Sequence, residues 1–329
     1  MGLYLTYNNS MGDGIGAQAL RQTGIFALTR FARARYIHSE IIEISEEFSH
    51  ESNFTEDKTS TASQIKKLFT FPSDRKPRKF DLIKEVDNLA VLTFIRFYLV
   101  SMVFRKNILL RVLLPFKILD KAPFIYKYAK TFIQNRLVEM IDNEETSDIV
   151  VHARYGYGAV WNPSASATRR TFLAPSYFRK VVCELSKRGE IPIPAKLKIH
   201  TDLSPIDVEW APRDPITIQM YREHASNELI QKIMIKGRDL SKEFPRMPNI
   251  ETEIVYCGNT WLTFVEMCRT PILVMGKSAF SYLAGIVNEN LVIAPSIHGH
   301  SPLPGWLSEK DLGIHIENGD LEKASYWQS

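Results

Sequence analysis

The sequence predicts an α/β protein with two parallel-sheet domains, and three observations carry that prediction. The chain has 329 residues, too many for one compact domain of ordinary size and enough for two. Short β-prone runs alternate with helical periodicities along much of its length, and parallel strands need such crossover segments between them. Four of the strand runs end in residues suited to binding, at 12–18, 152–158, 200–202 and 277–281, where open α/β sheets collect ligands. The hydrophobic fraction is 45% and the charged fraction 24%, ordinary for a folded soluble chain. A net charge of +4 is too small to argue for nucleic acid.

Taken in order, "LYLTY" (3–7) is a β-prone run ending in the glycine turn "GDGIG", with Gly12, Gly14 and Gly16 at alternate positions. Glycine tolerates positive φ and holds no side chain between the backbone and a ligand. Such a turn opening a helix leaves N–H groups for an anion. Residues 17–35 carry Ala17, Leu20, Ile25, Leu28 and Phe31 at helical spacing. "YIHSEIIEI" (36–44) alternates as a second strand, and 45–63, polar and rich in Ser, Glu and Thr, reads as a surface loop. The run "NLAVLTFIRFYLVSMVF" (88–104) is apolar on nearly every face, which predicts a buried helix. It falls short of the about 20 apolar residues of a membrane span. A basic amphipathic patch for anionic lipid is the other reading, because Arg105, Lys106, Arg111, Lys117 and Lys121 follow directly. Pro115 and Pro123 break the next helices, and 124–142 reads as a further amphipathic helix. Between Lys84 and Arg136 ten basic residues face three acidic ones, so this stretch exceeds the charge excess of the whole chain.

"IVVHARYGYG" (149–158) is a buried strand running into a glycine turn and opens the second domain, so the division is 1–147 and 148–329, with a basic helical insertion at about 84–142. A helix follows at 176–189 and a strand at 196–202. After a Pro-rich loop come a helix at 222–236, a strand at 251–258 and a helix at 260–269. The chain then runs strand 271–277, helix 278–288 and strand 291–295. Cys183, Cys257 and Cys268 are odd in number and widely spaced, which suggests neither a disulfide framework nor a zinc site. No metal cluster is visible, and His298 and His300 read as loop histidines. The N-terminus carries no secretory signal.

At the strand ends, "VHARYGYG" sets His152 and Arg154 two residues apart on one face. Arg154 offers a planar fork suited to a diphosphate, or to a surface carboxylate. In "MGKSAFS", Ser278 is a natural N-cap. Its hydroxyl and the free N–H groups of a helix start suit an anion, though a plainly capped helix has the same sequence. In "HTD", Asp202 either accepts bonds from a base N–H or ribose hydroxyl, or forms a turn. The glycines at 12–16 do not have the dinucleotide spacing, although Glu40 and Glu43 imitate its ribose-binding acid. A phosphate-binding P-loop is excluded because no Lys-Ser/Thr pair follows.

These motifs in their order, "GDGIGAQ", "VHARYG", "HTD" and "TFVEMCRTPILVMGKSAFSYLAGIVNENLVIAP", resemble the fucosyltransferase-like superfamily, which holds the α1,2- and α1,6-fucosyltransferases and the protein O-fucosyltransferases. The last block is the most specific, and residues 45–145 match nothing in the family pattern. The resemblance implies a GT-B architecture, two Rossmann-like domains whose parallel sheets face a cleft, and metal-independent, inverting transfer from a nucleotide sugar, usually GDP-fucose, with no other cofactor. It implies that Arg154 holds the β-phosphate and stabilises the leaving diphosphate, that His152 contacts the donor, and that Asp202 reads the base or ribose. Ser278, Phe280 and Ser281 would line the diphosphate and base, with Gly14, Gly16 and Gln18 facing the sugar. The chain departs from the pattern at Ala17, Tyr155 and Tyr157.

Metal-free transfer needs cations and N–H donors to neutralise the departing diphosphate, and Asp13 in the glycine turn is the candidate base. The expected partners are the sugar nucleotide and a glycan, lipid-linked or protein acceptor, with peripheral membrane contact through basic 84–136 and no nucleic acid. The expected location is cytoplasmic, at the membrane face. Another nucleotide sugar, or an NAD(P)-dependent oxidoreductase using the Gly12–Gly16 turn, are the competing readings.

Overall fold

The structure, a computed structural model, describes residues 1–8, 14–42, 58–141, 146–154, 172–201, 240–242, 244, 247–256, 258–317 and 321–322. The chain forms two compact units. The first holds the described residues up to 141 together with His300–Gly305, and the second holds the rest. Each is built on a parallel sheet, so the α/β class with two parallel sheets holds.

In the first unit β1 (Gly2–Tyr7), α1 (Ile15–Ala32) and β2 (Arg35–Tyr36) succeed one another in the order the sequence predicts. They continue into α2 (Lys58–Leu68), β3 (Leu82–Asn88), α3 (Val91–Val103), β4 (Asn107–Leu114), a short α4 (Phe116–Leu119), a 3-10 turn (Pro123–Tyr126) and α5 (Lys127–Met140). The sheet order is β2-β1-β4-β3 with every pair parallel. Helix α1 is buried from Gln18 through Thr29, because the sheet covers one side and α5 and the 3-10 turn the other. Gly24 permits this: a Cβ there would lie 2.4 Å from Leu119 Cδ1 and 3.2 Å from Pro115 Cγ. Phe26 stacks on Phe71 at 4.4 Å between centroids, and Phe132 closes the cluster.

Several expectations for this unit are corrected. The predicted strand 36–44 pairs only at Arg35–Tyr36. One more backbone bond, Ile37 N to Leu5 O at 2.9 Å, follows, and Ser39 is then held by side chains, its Oγ donating to Tyr7 O at 2.8 Å and Gln22 Nε2 donating to its carbonyl at 2.7 Å. Helix α2 begins at Lys58 within the predicted loop, while 45–57 lie outside the described residues. The region 84–142 is not a helical insertion, because β3 and β4 supply half of the sheet. "ILLRVLL" is an apolar run interrupted only by Arg111, in a strand buried on both faces apart from that exposed residue. Helix α3 is not buried either. Of its residues only Ser101 is fully covered, and Leu92 is 81% exposed. Pro115 and Pro123 stand at the starts of α4 and the 3-10 turn, where a missing N–H costs nothing. His300 has an acidic neighbour that the sequence hides: its Nδ1 lies 3.3 Å from Asp120 Oδ1.

The second unit runs β5 (Ile149–Ala153), β6 (Phe172–Leu173), α6 (Pro175–Lys187), β7 (Ala195–Thr201), β8 (Ile250–Tyr256), α7 (Thr260–Arg269), β9 (Ile272–Val274), α8 (Ala279–Val287), β10 (Leu291–Ile293) and β11 (Leu321–Glu322). The predicted strands and helices from 149 to 295 are present with ends shifted by a few residues, apart from the helix at 222–236, which lies outside the described residues. The main sheet has the order β10-β9-β5-β7-β8, all parallel. Numbered by appearance within this sheet that is 5-4-1-2-3, the doubly wound order that places its switch point between the first and fourth strands, here β5 and β9. Ile149, Val151, Leu197, Ile199, Ile272 and Val274 pack with Tyr177, Phe178 and Val181 of α6 into one core. Thr270 Oγ1 donates across the sheet to Ser147 O at 2.9 Å, and Asn288 Nδ2 to Met267 O and Thr270 O at 2.9 and 3.0 Å, which fixes the turn between α7 and β9.

Candidate functional site

The strand ends at the β5/β9 switch point are brought together by a missing side chain. Gly276 follows β9, and a Cβ there would stand 2.4 Å from His152 O and 3.9 Å from Arg154 N. Since the first of these is a backbone atom, the approach requires glycine. The β9–α8 turn therefore lies against the main chain of His152 and Arg154. The sequence offered Gly276 as no more than the end of an apolar run.

Around this junction stand His152, Arg154, Lys277, Ser278 and Phe280. His152 is buried and its ring lies 5.9 Å from Phe280, which in turn packs on Phe264 at 5.3 Å. Arg154 is half-buried just past the end of β5. Lys277 is half-buried, and burial pulls its ammonium below the usual lysine value. Ser278 caps α8 as its sequence predicts: its extended backbone starts the helix, and its Oγ accepts from Phe280 N at 3.1 Å. The first-turn amides of α8 and the positive end of its dipole thus open beside the β5 end. Ser281 turns inward, its hydroxyl 3.2 Å from both Gly276 O and Ser278 O, and so it shapes the turn.

Beside His152 on the neighbouring strand lies His200, its register partner, within a polar network that the sequence did not disclose. Glu266 of α7 accepts from Ser147 Oγ at 2.9 Å and from Lys198 Nζ at 3.0 Å on one oxygen, and meets His200 Nε2 at 2.7 Å on the other. His200 Nδ1 is 3.2 Å from Thr263 Oγ1. Burial on its own would raise the Glu266 carboxyl. The bond to His200 and its charge, with those from Lys198 and Ser147, outweigh it and hold the group at about 2. The partners lie 66 to 119 residues from Glu266 in the chain, beyond any local pattern. The available signal was the one carboxylate in the largely apolar helix "TWLTFVEMCR".

The first unit holds Gly14, Gly16 and Gln18. Gly14 caps α1 with φ −55°, so the positive φ argued from the sequence is absent there, while nothing lies within 4 Å of where its Cβ would be. Gly16 lies in the first turn of α1. Gln18 is buried with both ends of its amide on the Ile42 main chain: Nε2 donates to O at 3.1 Å, and Oε1 accepts from N at 3.0 Å. Arg21, also buried, donates to Tyr7 Oη at 3.2 Å. Asp13, Asp202, Tyr155 and Tyr157 lie outside the described residues. Among the described residues no group of three or more His, Cys, Asp or Glu side chains is placed to hold a metal ion.

No family model matches the sequence, and no curated protein matches it. Solved structures similar to it include POFUT1 in complex with GDP, 14% identical over 95% of this chain and 99% of that one, with a TM-score of 0.45. The E. coli heptosyltransferase WaaC with ADP-2-deoxy-2-fluoro heptose is 7% identical over 94% and 92%, with a TM-score of 0.36. A putative UDP-N-acetylglucosamine 2-epimerase from Listeria monocytogenes is 8% identical over 88% and 78%, with a TM-score of 0.30.

Proposed function

We propose that this protein is a GT-B-type glycosyltransferase that binds the diphosphate of a nucleotide sugar at the β5/β9 switch point of its second unit. The observation that supports this most is the Gly276 junction, which sets the Arg154 main chain against the turn that opens α8. A guanidinium, a lysine and a helix N-terminus then serve one anion, as a diphosphate leaving group requires. The ordered motifs of the fucosyltransferase-like superfamily favour GDP-fucose as the donor.

In this reading an acceptor hydroxyl attacks the anomeric carbon as the bond to the β-phosphate oxygen breaks, with inversion. The electron pair leaves on the diphosphate, where Arg154, Lys277 and the α8 amides neutralise it in place of a metal ion. The hydroxyl proton passes to a base, for which the sequence points to Asp13. His152 and Phe280 bound the donor from below, and Asp202 reads its base or ribose. Transfer assays without divalent metal, with GDP-fucose and other sugar nucleotides, test the reading. Arg154→Ala should lower turnover by about a hundredfold or more with unchanged folding, and turnover equal to the parent protein's would refute it.

A further inference from the structure

Helix α3 carries an apolar face that no described residue of its own unit covers. Leu92, Ile95, Leu99, Met102 and Val103 are 81%, 45%, 54%, 60% and 70% exposed, and Phe104 just beyond the helix is 66% exposed. At about 100° per residue these helical positions fall, with Val91, within an arc of about 120°. The buried Ser101 lies opposite, on the side that meets β1 and β4. Arg96 borders the exposed arc, and Arg105 and Lys106 stand at its C-terminal end, all three exposed. No acidic residue occurs from 88 to 119. Lys106 pairs with Asp81 at 3.6 Å.

We infer that α3 docks this face on an anionic lipid bilayer, lying in the headgroup plane. The helix has 13 residues and is about 20 Å long, too short to cross a hydrocarbon core of about 30 Å. Among the described residues no helix is long and apolar enough to cross a membrane. A short helix with a broad apolar arc and basic flanks instead suits the interface, its leucines at the acyl boundary and its arginines among the phosphates. Arg96 can lay its methylene stem along the apolar face while its guanidinium reaches the headgroups. A second copy of the chain is the weaker occupant. A two-fold contact sets a patch against itself, so Arg96 and Arg105 would meet their own kind with no carboxylate from 88 to 119 to answer them. This inference does not depend on the proposed enzymatic activity.

The test is co-sedimentation of the full chain with vesicles of phosphatidylcholine alone and of phosphatidylcholine mixed with phosphatidylglycerol, with sedimentation velocity of the free protein alongside. The protein should bind the mixed vesicles, bind neutral ones far less, and be released by salt. Arg96→Gln with Arg105→Gln should weaken partitioning about fivefold for each cation removed, and Leu92→Gln with Leu99→Gln by at least about tenfold. All four positions are exposed, so circular dichroism and thermal unfolding should match the parent protein. Failure to bind the mixed vesicles would overturn the inference, as would undiminished binding by the leucine variant. So would a dimer in solution that the leucine variant converts to monomer.

Discussion

Replacing Glu266 by Gln removes the carboxylate on which Lys198, His200 and Ser147 converge. The side chain is only 13% exposed, so water does little to replace it. The folded protein holds this group at about 2 against an ordinary 4.5. At about 1.4 kcal/mol per tenfold change in proton affinity, that gap contributes about 3 kcal/mol to stability at pH 7. Because the folded value is depressed, the contribution is present above pH 4.5 and is lost as the pH falls through about 2. At pH 3 about 1 kcal/mol of it remains. Urea unfolding of parent and Glu266→Gln proteins at the two pH values reads this directly. The variant should be weaker by about 3 kcal/mol at neutral pH and by about 1 kcal/mol at pH 3. A deficit of the same size at both would show that lost packing, not charge, accounts for it. A neutral-pH deficit below about 1 kcal/mol would place Glu266 with ordinary surface ion pairs and refute the network.

Other substitutions separate site from scaffold. Gly276→Ala must push the β9–α8 turn off the His152 carbonyl, which should cost about 1–3 kcal/mol of stability and weaken nucleotide binding together, measured by unfolding and calorimetry. Ser281→Ala removes only the hydroxyl that braces the turn, so a loss of about 1 kcal/mol with nucleotide affinity retained is expected, and a selective loss of affinity would move Ser281 into the ligand contact. Gln18→Ala deletes both amide bonds to Ile42 and should destabilise by about 1–3 kcal/mol. A variant as stable as the parent would show that the Ile42 main chain does not depend on it.

What the sequence disclosed follows from where its information is local. The block from 260 to 295 was readable because each element ends on its own signal: Ser278 is an N-cap, and "PILVM" and "LVIAP" are short apolar runs of strand length. β3 and β4 were not, because "LIKEVDN" is an edge strand of mostly exposed residues, and "NILLRVLL" begins after the basic pair Arg105-Lys106 and carries Arg111 in its middle, so it reads as part of a basic stretch. Helix α3 was misread for a related reason. Apolar residues on every face say that a helix avoids water, not which protein surface covers it, and the sheet reaches only the Ser101 side. At the site, His152, Arg154 and Ser278 were legible as strand-end and cap residues. Glu266 and Gly276 were not, since their meaning lies in partners that only the folded sheet brings near, His200 for one and the His152 carbonyl for the other.

Thermal unfolding of the parent and Arg154→Ala proteins with GDP, UDP and NAD, free of divalent metal, probes the switch-point site most directly. Ligand at about a hundred times its dissociation constant adds about 2.7 kcal/mol, readily seen as a rise in Tm. A rise with GDP that Arg154→Ala abolishes is the expected result. A rise that survives Arg154→Ala, or one produced by NAD alone, would contradict a diphosphate site built on Arg154 and the α8 turn.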